Sequence, residues 1–149
     1  MLLTNYPTAS LGRRFAAMAY DSLILIALYI ILGGVLVSAI TWATGAEQMI
    51  VLSPATAASL FYSISFLYFM HSWRKGGQTI GMKSWRLFIT TEDNVPVRLS
   101  HCILRSAVGL FSLAPLGLGF FWMLVDKKQR TWHDIASNTR IVYRAKGME

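Results

Sequence analysis

The sequence is short of charge, and shorter still of acid. Only 14% of its 149 residues are charged, and the seven acidic residues face fourteen basic ones. No Lys or Arg occurs between Arg14 and Arg74, a gap that an ordinary water-facing surface would not leave. A single cysteine, Cys102, excludes an internal disulfide and gives no sign of an oxidising compartment. The three histidines are scattered, and His101 beside Cys102 makes an incomplete metal site, so no metal or other cofactor is expected. No nucleophile and base pair can be assembled either, which speaks against an enzyme with catalytic residues of its own.

What fills the space is apolar. Hydrophobic residues make up 54% of the chain, and the mean hydropathy is +0.47. The runs Ser22–Ala46, Gln48–Trp73 and Ser106–Val125 each approach the roughly 20 residues that cross a hydrocarbon core about 30 Å thick. The first run is too long for the apolar part of a signal peptide and reads as a retained segment. Basic residues flank these runs: Arg13 and Arg14 before the first, Arg74 and Lys75 after the second, and Lys127, Lys128 and Arg130 after the third. This is the positive-inside pattern, with a basic face suited to anionic lipid headgroups and no motif for nucleic acid.

The fold expected is an all-α integral membrane protein, one domain over residues 1–149. Helix one runs over about 11–42 and helix two over about 54–73, joined by an outer loop that holds Glu47. Ala55, Ser59 and Ser63 give the second helix a small-residue stripe for close packing. Gly76-Gly77 ends it, a strand follows at about 85–91, and a second strand at 139–144 is expected to pair with it on the same side of the membrane. Within the third apolar segment, about 101–125, Pro115, Gly117 and Gly119 break any continuous helix. A re-entrant hairpin keeps both strands and every basic cluster inside, and a single kinked crossing is the alternative. The tail, 126–149, is cytoplasmic, as is the N-terminus, in a multi-pass protein of a bacterial-type inner membrane.

Asp21 is the residue that demands explanation, because it lies inside helix one, against the start of the first apolar run. A carboxylate there must be paired, neutralised or in a wet cavity. Arg14, seven residues earlier, shares its helix face about 10 Å away along the axis. Arg105 and the tail motif Asp126-Lys127-Lys128-Gln129-Arg130-Thr131-Trp132-His133-Asp134 are further candidates, with Asp126 and His133 secondary to Asp134. The resulting cluster of Arg14, Asp21, Arg105 and Asp134 is either a static clasp or a site that binds or exchanges ions. The motif Gly77-Gln78-Thr79-Ile80-Gly81 has the spacing of a helix-dimer motif but is polar, so close backbone turning explains it better.

Taken in order, Arg14 and Asp21, then Gly77-Gln78-Thr79-Ile80-Gly81-Met82-Lys83, then Arg105, then Asp126 through Asn138-Thr139, resemble the RDD family of membrane proteins over about residues 10–144. The resemblance implies that Arg14 and Asp21 are the arginine and first aspartate from which that family is named, and that Asp134 is the second. Asn138 departs from the glycine common there, and Met82 from a basic residue. Transport of ions or small solutes, by an oligomer, is what the resemblance and the buried acid together lead one to expect; a packing and interaction role is the alternative.

Overall fold

A helix of 34 residues dominates the computed structural model, which describes residues 5–113 and 117–145. This helix, α1 (Leu11–Thr44), is followed by α2 (Pro54–Gly76), α3 (Ile80–Ser84), β1 (Leu87–Thr91), α4 (Leu99–Leu113), α5 (Leu118–Phe121), a single 3-10 turn at Trp122–Leu124, α6 (Trp132–Ala136) and β2 (Thr139–Tyr143). The chain divides into two compact units, residues 22–68 and the remainder.

The first unit is a helical hairpin made of the apolar part of α1 and most of α2. Tyr29 meets Phe61 edge-on at 5.6 Å, and Gly33 packs beside Leu60. Ser53 opens α2 by accepting from the Thr56 amide at 3.2 Å. Residues 22–44 of α1 hold no charge and extend about 34 Å at 1.5 Å per residue, enough to traverse a bilayer core. Only 6% of the most apolar stretch of α1 is buried, and Leu23, Ile30 and Val35 stand exposed. Such a surface is compatible with lipid as its solvent. Among the described residues, α1 is the one helix long and apolar enough to cross a membrane.

The second unit is built around a small sheet. β1 and β2 pair antiparallel, with Ile89 opposite Ile141 at the centre, so the expected strand pairing is present. The first strand opens at Leu87 rather than at residue 85, because Arg86 takes a left-handed conformation (φ 55°) that turns the chain out of α3. Both sheet edges are covered. On the far side of β2 the Ala9 amide donates to the Ile141 carbonyl and the Tyr143 amide to the Pro7 carbonyl, each at 2.9 Å. On the far side of β1 the Ile89 amide donates to the Gly77 carbonyl at 2.8 Å, and the Gln78 side chain reaches the Leu87 carbonyl at 2.7 Å. A covered edge cannot recruit a stray strand. The N-terminal segment around Pro7–Ala9 thus extends the sheet. Ala9, Ala17, Met82, Leu87 and Ile89 form the core beneath, which ties the foot of α1 to the sheet.

The third apolar segment is not one long helix. α4 ends at Leu113, and the expected break around Pro115 lies outside the described residues. Beyond it the chain returns on itself, for a Cβ placed on Gly119 would stand 2.3 Å from Ser112 Oγ. Only glycine permits that approach.

Asn138 follows α6 with φ 48°, the left-handed position that closes many helices and that glycine or asparagine fills at least cost. This explains why asparagine can stand where the resemblance led one to expect glycine. Asn138→Gly should leave the thermal unfolding midpoint almost unchanged, whereas Asn138→Val should cost about 1–2 kcal/mol in a denaturation titration.

Candidate functional site

Two guanidinium groups and one carboxylate lie buried together in the second unit. Asp134 sits in the first turn of α6, where Thr131 caps the helix: the Asp134 amide donates to Thr131 Oγ1 at 3.3 Å and the Thr131 amide returns to Asp134 Oδ2 at 3.2 Å. That reciprocal pair orients the carboxylate through bonds that do not involve either cation. Arg14 Nη1 then donates to Oδ2 and Arg105 Nη1 to Oδ1, both at 2.5 Å. Arg14 comes from α1 and Arg105 from α4, so one aspartate fastens three helices. The arginines spend their remaining donors on the sheet. Arg14 Nε reaches the Ala9 carbonyl at 3.1 Å, and Arg105 Nη1 reaches Thr139 Oγ1 at 2.8 Å. Arg105 also lies over the Trp73 ring, 5.3 Å from its centroid.

All three charged groups are at least 96% buried. Burial alone would raise the Asp134 pKa, but the positive charges of Arg105 and Arg14 outweigh it and hold the carboxyl well below the usual carboxylate range. Removing one member of such a set leaves an uncompensated buried charge, which costs about 3–5 kcal/mol.

Asp21 belongs to a second node on the same helix. Its Oδ2 accepts from the Thr79 hydroxyl at 2.5 Å and its Oδ1 from the Gly81 amide at 2.9 Å. Thr79 caps α3 as well, accepting from the Met82 amide at 3.1 Å. The helix is so close that a Cβ on Gly81 would lie 2.2 Å from the Ala17 carbonyl oxygen. The Gln-Thr-Ile-Gly stretch is therefore a receptor for the Asp21 carboxylate, built from a hydroxyl, an amide and the absence of a side chain. The four expected site residues do not meet at one point: Arg14, Arg105 and Asp134 share a node, and Asp21 is held about two turns further along α1.

The secondary candidates separate too. Asp126 lies at the surface, where it accepts from the Arg130 amide at 3.0 Å and from Arg130 Nε at 3.1 Å. Of the two tail aspartates, Asp134 is the one that meets Arg14. His133 is buried against the Phe120 ring, with centroids 4.8 Å apart, and its Nδ1 has no hydrogen-bond partner. Burial, reinforced by the charge of Arg105, pushes its pKa down to about 3, so the imidazole is neutral near neutral pH. His101 Nδ1 accepts from the Arg98 amide at 3.0 Å, a local cap at the start of α4. Among the described residues no three His, Cys, Asp or Glu side chains converge as metal ligands.

Sequence reasoning passed over Thr79, Gly81, Thr131 and Thr139. The first two lay inside a motif it had noticed. Thr131, three residues before Asp134, carries the spacing of a capping box and was the readable signal.

The RDD family model matches residues 8–138. The chain belongs to the RDD family. That match begins at Thr8, in the strand-like segment beside β2, and ends at Asn138, so it takes in all the charged residues of both nodes and stops one residue short of Thr139. Together with the apolar α1 it points to a membrane protein. No curated protein and no solved structure matches the chain.

Two measurements probe these nodes. Gly81→Ala should displace the Asp21 carboxylate or the foot of α1, lowering the unfolding midpoint more than Gly76→Ala, where a Cβ has open space. The neutral His133 gives a pH dependence whose direction is fixed. Between about 6.5 and 3 the unfolded chain binds a proton that the folded chain refuses, so stability is full above about pH 6.5 and falls on acidification. The slope is limited to about 1.4 kcal/mol per pH unit. Asp134, whose pKa is depressed, contributes its own loss only below about pH 4. His133→Leu should therefore flatten the thermal stability curve from pH 6.5 to 4.5 in detergent solution.

Proposed function

We propose that this RDD protein is a non-catalytic membrane protein in which the buried ion set clasps a membrane helix to a compact module on the cytoplasmic side. The observation that carries the reading is the dual occupancy of Asp134, whose two oxygens each accept an arginine from a different helix. A carboxylate so neutralised holds elements in register. In this reading α1 and α2 cross an inner membrane as a hairpin, with the loop around Glu47 outside. The sheet, both termini and the basic clusters lie inside, and the segment after Arg105 re-enters without crossing. The module thereby offers a cytoplasmic surface to lipid or to a partner.

A second reading, movement of ions or small solutes, is favoured by the separation of the nodes. Protonation or cation binding at Asp21 would leave the bonds of Asp134 to Arg14 and Arg105 intact. With two crossings per chain, a path through the bilayer would require an oligomer.

Asp134→Leu should reduce the amount of folded protein sharply, since it strands two buried arginines. Arg14→Met/Arg105→Met/Asp134→Leu should recover part of that loss, because an apolar set of similar volume can replace a buried ion cluster. The deciding assay is flux of protons, sodium and potassium into vesicles that hold the purified protein. Rates equal to those of empty vesicles support the clasp. Flux that vanishes in Asp21→Asn, with helix content unchanged, would replace it with the second reading.

A further inference from the structure

An open groove of about 550 Å³ lies where the end of α2 meets the approach to α4. His71, Arg74 and Lys75 line one side, at i, i+3 and i+4 on one face of α2, and Arg98 faces them from the residue before α4. No acidic side chain is among the lining residues. The contrast with the rest of the unit is informative. Arg14 and Arg105 are paired with Asp134, and Arg130 with Asp126, whereas no acidic partner within 4.0 Å is recorded for Arg74, Lys75 or Arg98 among the described residues. Three like charges around one concavity repel one another, and an anion placed between them removes the repulsion. The 15-residue α4 adds the positive end of its dipole, with no acid in its first turn to offset it.

The geometry points to this groove as a binding site for a phosphate ester anion, supplied by the headgroup of an anionic phospholipid. Two features favour lipid over a soluble phosphate. Met70 and Val97 give the groove an apolar flank, which suits the glycerol and first methylenes of a diacyl lipid. The cations also stand at the end of a helix that the proposed topology brings back to the cytoplasmic interface, where anionic headgroups are concentrated and each nearby Lys or Arg strengthens attachment. The inference rests on the membrane reading above and adds to it a place on the chain and a lipid class.

Carbonate extraction of membranes tests the membrane reading separately: a chain released into the soluble fraction removes the topology from which the lipid was argued. For the groove, the full chain in non-ionic detergent is titrated with phosphatidylglycerol and with phosphatidylcholine, and bound lipid is counted by native mass spectrometry. The wild-type chain should favour phosphatidylglycerol by at least about tenfold. Arg74→Gln/Lys75→Gln/Arg98→Gln should lose that preference, while Lys83→Gln/Lys127→Gln/Lys128→Gln, which removes the same charge elsewhere, should keep it. These side chains are solvent-exposed, and Arg74→Lys/Arg98→Lys, which preserves the charge, should behave as wild type and guards against a folding defect. Retention of the preference in the groove variant, or equal loss in the control, overturns the site. Displacement of phosphatidylglycerol by equimolar glycerol 3-phosphate would identify a soluble phosphate as the ligand and overturn the lipid.

Discussion

One carboxylate between two guanidinium groups sets the terms for the rest of the molecule. Taking Asp134, Arg14 and Arg105 out of water carries a penalty of several kcal/mol for each charge, and mutual attraction offsets it only when geometry is good and the remaining donors are satisfied. Further bonds supplement the attraction here: the carboxylate also accepts from the Thr131 amide, and the arginines also donate to Ala9 and Thr139 oxygens. Because these partners come from α1, α4, α6 and the sheet, the set can be completed only when those elements are in one arrangement. Its worth lies in specifying that arrangement more than in net stability, since apolar packing of the same volume would hold the elements as firmly but less selectively.

The second node answers a different difficulty, that of fixing the foot of a long apolar helix. The apolar residues of α1 begin just beyond Asp21, and the turns before it bury one face against the sheet module. At that boundary a fixed polar contact prevents the helix from sliding along its axis. Asp21 supplies that contact by reaching the capping hydroxyl of α3 and the Gly81 amide. The close approach of Gly81 to the Ala17 carbonyl shows how little axial movement the contact permits. A serine or alanine at position 81 would push the two helices apart and lengthen both hydrogen bonds.

Much of this was legible in the residues, though unevenly. A charge at the edge of an apolar run announces itself, so Arg14, Asp21 and Arg105 stood out, and the tail motif brought Asp134 with them. The two strands were readable from β-branched and aromatic residues. Hidden from the sequence was the division into two nodes. A seven-residue spacing says that Arg14 and Asp21 share a helix face and says nothing of which partner reaches each. Thr79 and Gly81 carry no charge, and as acceptors' partners they leave no pattern of opposite signs to find. The N-terminal cover of the β2 edge was hidden as well, because Tyr6-Pro7-Thr8-Ala9 is too short and too mixed to read as a strand and is held by bonds to β2 formed far along the chain.

The treatment of positive charge joins these observations. Where the fold buries a cation it supplies an anion, as at Arg14 and Arg105, and where Arg130 turns back over the loop it meets Asp126 and Glu92. The groove beside α4 differs, gathering three exposed basic side chains with no carboxylate in its lining. Solvation makes exposed cations tolerable, so exposure alone needs no explanation. Convergence does, because side chains as long as Arg and Lys would separate into solvent unless the backbone placed their origins around one concavity. The end of α2 and the start of α4 do so, and both are bound to the Asp134 node, through Trp73 beneath Arg105 and through Arg105 itself. The internal ion set thus fixes the spacing of the outer basic groove, which makes the geometry of the proposed anion site a consequence of a salt bridge it never touches.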